Sequence, residues 1–173
     1  MDIFAHTLWT NIVFYKKLQN ERKQRWIAVL FGILPDLLSF SPVFLYAFFA
    51  RVEFFDLVAS NIWVVRYAGE SYNYTHSIVI FILACVSVAL FRKYALKIHD
   101  REKIVYWPMF GWALHIFIDV FTHKGFYETP FLFPFSNFKF TYGISWGHPI
   151  FMLVNYGLLA VIYLFWFLVL RKR

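Results

Sequence analysis

Two histidines and an aspartate stand four residues apart in His115-Ile-Phe-Ile-Asp119-Val-Phe-Thr-His123, within one of the most apolar stretches of the chain. On a helix, side chains four apart share a face, so this HxxxDxxxH spacing lines three metal-type ligands along one stripe. Ionisable groups in an apolar, membrane-depth helix are costly, and they usually line a functional interior. Neutral imidazole and carboxylate suit zinc and neighbouring transition metals such as manganese, whereas calcium asks for oxygen ligands. Asp119 sits one turn from each histidine. A carboxylate so placed can bridge two ions about 3.5–4 Å apart, the separation used in two-metal phosphoryl chemistry.

The elements that must position these residues are apolar helices. Of 173 residues, 61% are hydrophobic and 24% aromatic, far above a soluble domain. Leu153 to Leu170 is a run whose one strongly polar member is Asn155, long enough for a transmembrane helix. Trp26 to Ala50 is a second span, interrupted by Pro35-Asp36 and Ser41-Pro42. Ser77 to Phe91 and Ile104 to Phe121 are a third and fourth, and Leu8 to Tyr15 marks a shorter N-terminal helix. The expected fold is all-α: a single integral membrane domain over residues 1–173, built as a polytopic bundle of four or five transmembrane helices. No cleavable signal peptide is expected, because the chain opens Met-Asp and no small-residue cleavage site follows the first apolar segment. Cys85 stands alone in mid-span, which rules out a disulfide framework or thiolate metal site.

The net charge of +7 is spent on topology rather than on nucleic acid. Basic residues cluster at Lys16, Lys17, Arg22, Lys23 and Arg25, then at Arg92, Lys93, Lys97, Arg101 and Lys103, then at Arg171-Lys172-Arg173. With all three clusters cytoplasmic, the four stronger spans alternate without conflict. The expectation is a multi-pass protein of the cytoplasmic membrane with its C-terminus inside and segments 51–75 and 123–148 outside.

That topology gathers the unusual residues near the outer face. His115, Asp119 and His123 run outward, His76 opens the third span, His148 precedes the last, and Asp36 follows Pro35. If the first helix spans, His6 joins the same layer. Each has a structural alternative: His148 as an interfacial helix-start residue, His6 as a surface histidine, Asp36 as a cap after the proline, and Thr75-His76-Ser77 as a helix cap alone. His99 in the basic loop is expected to be inert. Lys124, beside His123, can offset phosphate charge or simply anchor the interface.

Four short motifs follow His6 in order: Leu34-Pro35-Asp36, Thr75-His76-Ser77, His115-x-x-x-Asp119-x-x-Thr122 and Phe133-Pro134-Phe135-Ser136. In this order the chain resembles a family of bacterial and archaeal inner-membrane metal-dependent hydrolases that includes a LexA-regulated membrane protein. That family is similar in motif order to zinc-dependent phospholipase C and the P1-type nucleases, soluble all-helical enzymes. The resemblance implies that Asp36, His76, His115 and Asp119 form one metal site, with Asp119 bridging to a second ion also held by His6. His123 and His148 are the right types for a further site. Family members often carry His-Arg before the Thr-His-Ser triplet, where this chain has Ser71-Tyr72. The soluble relatives also ligate through their processed N-terminal residue, which Met1 gives no reason to expect.

Composition, ligand types and resemblance together lead to an expected function: hydrolysis of a phosphoester in a lipid or lipid-linked substrate, with one or two zinc or manganese ions. Asp36 and Asp119 are the expected catalytic residues. No nucleic-acid partner is expected, and the oligomeric state is left open. A metal- or proton-coupled transporter using the same residues is the alternative, and a structural protein with one stabilising zinc is a third reading.

Overall fold

In the computed structural model, residues 1–18, 20–60, 62–125 and 128–170 are described. All regular structure among them is helical: α1 (Ile3–Tyr15), α2 (Arg22–Ala50), α3 (Phe54–Ala59), α4 (Trp63–Thr75), α5 (Ile78–Tyr94), α6 (Arg101–Ile104), α7 (Phe110–Thr122) and α8 (Pro149–Phe165). A 3₁₀ turn over Trp107–Met109 precedes α7, and a π turn over Trp166–Leu170 continues α8. The basic triplet Arg171-Lys172-Arg173 lies outside the described residues.

The long helix α2 is the axis, packing most extensively against α4, α7 and α1. Two glycines permit that closeness. A Cβ at Gly32 would collide with the side chain of Thr10 on α1, and one at Gly111 with the backbone carbonyl of Ala28. The expected interruption at Pro35-Asp36 is absent, since α2 runs through both Pro35 and Pro42 as one helix of 29 residues. Each proline removes one backbone donor, and membrane helices tolerate that loss where neighbouring helices pack around them. Asp36 therefore lies in mid-helix, and it does not cap a new segment.

Among the described residues, α2 and the Pro149–Leu168 helix are long and apolar enough to cross a membrane. The pair α4 and α5, bent by 64° at His76-Ser77, makes a third if it is one broken span. The four or five crossings read from the sequence are not matched by that many long helices. Ile104 to Phe121 is split by the 3₁₀ turn containing Pro108, so α7 has 13 residues, as does α1. At 1.5 Å per residue each is roughly 20 Å long, short of a hydrocarbon core of about 30 Å.

The last helix presents apolar side chains outward along most of its length, including Leu153, Val154, Leu158, Val161 and Leu164. It docks on α1 through polar pairs. Trp9 Nε1 donates to Asn155 Oδ1 at 2.9 Å, Asn11 Nδ2 to the Tyr163 hydroxyl at 2.9 Å, and the Tyr156 hydroxyl to Asp2 Oδ1 at 2.7 Å. Such hydrogen bonds hold helices together where lipid removes the hydrophobic drive between them. They fix α1, and with it His6.

Candidate metal centre

Four buried side chains from three parts of the fold meet at one point. Asp36 comes from the middle of α2, His76 from the bend between α4 and α5, and His115 and Asp119 from successive turns of α7. One ligand atom of each lies within 4.8 Å of all the others. His115 Nδ1–H donates to the Gly32 carbonyl at 2.7 Å. His76 Nδ1 faces the Tyr72 carbonyl at 3.2 Å and the Thr75 hydroxyl at 3.0 Å, which itself donates to the Ser71 carbonyl. These outer partners set both tautomers, so each Nε2 turns a lone pair inward.

The two Nε2 atoms are 3.0 Å apart. Asp119 Oδ2 is 3.1 Å from His115 Nε2 and 3.4 Å from His76 Nε2, while Asp36 Oδ1 is 3.6 Å from His115 Nε2 and 3.4 Å from His76 Nε2. Neither carboxylate oxygen has a hydrogen-bond partner, though both are buried. Two lone pairs and two orphaned anionic oxygens packed together are costly without a cation. A metal ion would answer all four, so the residues present fit one.

Asp119 is two-sided. Its Oδ1 faces His6 Nε2 at 3.0 Å and His123 Nε2 at 3.5 Å, and it contacts the Met1 amine, which stands 2.7 Å from His123 Nε2. His6 also stacks on His115, with ring centroids 3.8 Å apart. His123 caps the C-terminus of α7, and its Nδ1 is hydrogen-bonded to the Tyr72 hydroxyl at 2.8 Å. That hydroxyl also meets Thr129 Oγ1 at 2.9 Å. Burial pushes the His123 imidazole down to about 4, which keeps it neutral and able to ligate near pH 7.

Local sequence explains the arrangement. Thr75-His76-Ser77 is a cap as well as a ligand carrier: Ser77 Oγ accepts from Val79 N at 3.1 Å and Ile80 N at 3.2 Å, starting α5. Behind the bend lies the Phe-Pro-Phe-Ser segment, where Ser77 Oγ donates to the Phe133 carbonyl and Ile78 N to the Phe131 carbonyl at 2.9 Å. The segment before α8 closes over the end of α7, with Ile144 N on the Phe121 carbonyl at 2.9 Å and Trp146 N on that of Thr122 at 2.8 Å. A Cβ at Gly143 would strike the Phe121 carbonyl, so glycine allows this approach.

Of the residues singled out from the sequence, His6, Asp36, His76, His115, Asp119 and His123 are brought together. His148 is not among them: it is exposed at the N-terminal boundary of α8. Pro149 begins the helix there, which leaves His148 on the turn, outside the cluster. His99 is exposed in the loop after α5, and Lys124 is exposed beside a cavity of about 520 Å³ that reaches Asp36 and His123. Sequence reasoning missed Met1 and Tyr72. Tyr72 lies four residues before His76, and that i, i+4 spacing was the available signal. Met1 offered none.

A family model described as YdjM inner membrane protein matches residues 1–173. No curated protein and no solved structure matches the chain. With the match running over its full length, the chain belongs to the YdjM inner membrane protein family.

Proposed function

We propose that the protein is a membrane-embedded, metal-dependent hydrolase acting on a phosphoester in a lipid or lipid-linked substrate. The observation that carries this reading is Asp119, whose two oxygens face two separate sets of nitrogen donors. Asp36, His76, His115 and Asp119 hold one ion, and Asp119 with His6 and His123 holds a second. Bound there, zinc or manganese supplies polarisation of a phosphoryl oxygen and lowers the pKa of a water toward about 7. Asp36 borders the cavity and would take up the proton of an attacking water while also serving as a ligand. Lys124, on the same cavity, offsets phosphate charge. In this reading the basic clusters are cytoplasmic, the C-terminus is inside and the cavity faces the extracytoplasmic side. In the same reading the short helices α1 and α7 beside α2 complete a bundle of four or five crossings, the bilayer thinning locally to match their length.

The test is metal analysis of purified protein, followed by a phosphoester screen with and without chelator. The expected result is close to two equivalents of transition metal, with turnover lost to chelator and restored by zinc or manganese. Metal-bound protein that turns over no phosphate, ester or amide substrate, yet moves metal or protons across liposomes, selects the transporter. Fully folded protein that binds no metal ends the hydrolase reading and leaves a proton-coupled transporter.

A further inference from the structure

The cavity beside the cluster is much more apolar than a centre for water-soluble esters needs. Asp36, Phe40 and Phe44 all line it and follow one another at four-residue intervals on α2, so they form one stripe along the helix. At 1.5 Å per residue the stripe runs about 12 Å from the carboxylate to Phe44. Phe4 of α1 lines the cavity as well. Phe4 and Phe44 are 76% and 53% exposed, so this wall is open to its surroundings and not sealed in a packed interior. Lys124 and Trp146 line the same cavity from the segment between α7 and α8.

We propose that this cavity binds a single apolar chain of a phosphate ester, laid along Phe40 and Phe44 with its phosphate at the Asp36 end and paired with Lys124. The proposal takes from the hydrolase reading only which end of the ligand faces the cluster. At about 520 Å³ the cavity falls within the range of small-molecule sites. A compact polar ester would leave the phenylalanine wall uncovered. A chain covers it, and because lipid removes the hydrophobic drive, dispersion contact along the phenylalanine rings and not transfer from water favours the chain there. Charge selects the other end. The Asp2 carboxylate, also at the cavity, accepts from Ala5 N and the Tyr156 hydroxyl through Oδ1, its Oδ2 is buried and without a hydrogen-bond partner, and Asp36 belongs to the metal cluster. That leaves Lys124 as the wall's flexible cation for an anionic head group.

The experiment uses the full-length protein in phosphatidylcholine nanodiscs and reads Trp146 fluorescence as the difference between wild type and Trp146→Phe. The probe is dodecyl phosphate brominated midway along its chain, compared with the equally brominated dodecanol and with inorganic phosphate. Quenching should saturate, with half-quenching by the phosphate ester at a mole fraction at least about tenfold below that of the alcohol, the scale of one charge-assisted contact. Lys124→Gln should erase that preference. Phe44→Ala should weaken both chain probes, and Phe44→Leu should recover most of the loss. Quenching that rises linearly and equally for both chain probes overturns the proposal. So does a phosphate-ester signal that inorganic phosphate displaces at equal concentration and that Phe44→Ala leaves unchanged. Binding is read without turnover, so a protein that hydrolyses nothing yet binds the probe as described sinks the hydrolase reading and leaves the chain site standing. An active enzyme with no saturable chain site does the reverse.

Discussion

Replacing Gly111 with alanine tests whether the contact between α7 and α2 sets the metal centre. Gly111 lies one turn before His115 on the same face of α7. A Cβ there would stand 3.0 Å from the Ala28 carbonyl carbon and 3.1 Å from Gly32 N, with the Ala28 oxygen nearer still. All three are backbone atoms of α2, so no rotamer change relieves the clash, and the helices must separate by about 1 Å to regain ordinary contact. The same Gly32 carbonyl holds His115 Nδ1 at 2.7 Å. A shift of about 1 Å stretches that bond to about 3.7 Å, beyond hydrogen-bond range, and frees the ring that presents Nε2 to the cluster. Losing such an outer partner costs about 10–100-fold in metal affinity. The assay is competition with a chelator on purified Gly111→Ala, with circular dichroism to confirm helicity. Gly157→Ala is the control, because a Cβ there meets nothing within 4 Å; its metal affinity should match wild type. A folded Gly111→Ala protein that binds metal within about threefold of wild type refutes the reasoning, since the threshold lies below the smallest loss expected.

Further outcomes follow from the same geometry. His6→Ala should lower metal content by one equivalent, whereas Asp119→Ala should lower both and His99→Ala neither, all read by elemental analysis; equal losses in the first two would remove the bridging role of Asp119. Asp36→Asn should retain metal at least in part while turnover falls by at least ~10²-fold, the scale of losing a general base, and unchanged turnover would take Asp36 out of the proton transfer. Tyr72→Phe removes the hydroxyl between His123 and Thr129. It should cost about 1–3 kcal/mol in thermal unfolding, because buried partners lose a hydrogen bond. In a Cys85→Ala background, cysteine at position 97 should label from the cytoplasm and at position 128 from outside; labelling from one side alone would undo the proposed topology.

Much of the centre could be read from order and spacing. Periodicity reports which residues share a helical face, so His115 and Asp119 were legible as one stripe, and His123 one turn on. The motif order supplied Asp36, His76 and His6. The all-helical class followed from the length of the apolar runs. Long-range pairing left no such mark. Nothing local tells that the Tyr72 hydroxyl turns to His123 or that the Met1 amine reaches Asp119, because those contacts join residues 51 and 118 positions apart.

Tertiary packing also decided what apolar runs cannot. A run rich in Phe, Leu and Ile has the same hydropathy whether it crosses lipid or lies as a short helix against α2. The 3₁₀ turn at Trp107–Met109 and the 13-residue length of α7 were therefore hidden, whereas a short N-terminal helix was expected. Pro35 is a break by local rules, yet α2 passes through it because α1, α4 and α7 pack around the helix. His148 had the right type, yet it lies exposed on the turn before Pro149. The sequence determined which side chains are able to bind a metal. The close approach of α2 to α7, allowed by Gly111, and to α1, allowed by Gly32, determined which of them share one point, because ligand geometry depends on backbone distances that no linear spacing encodes.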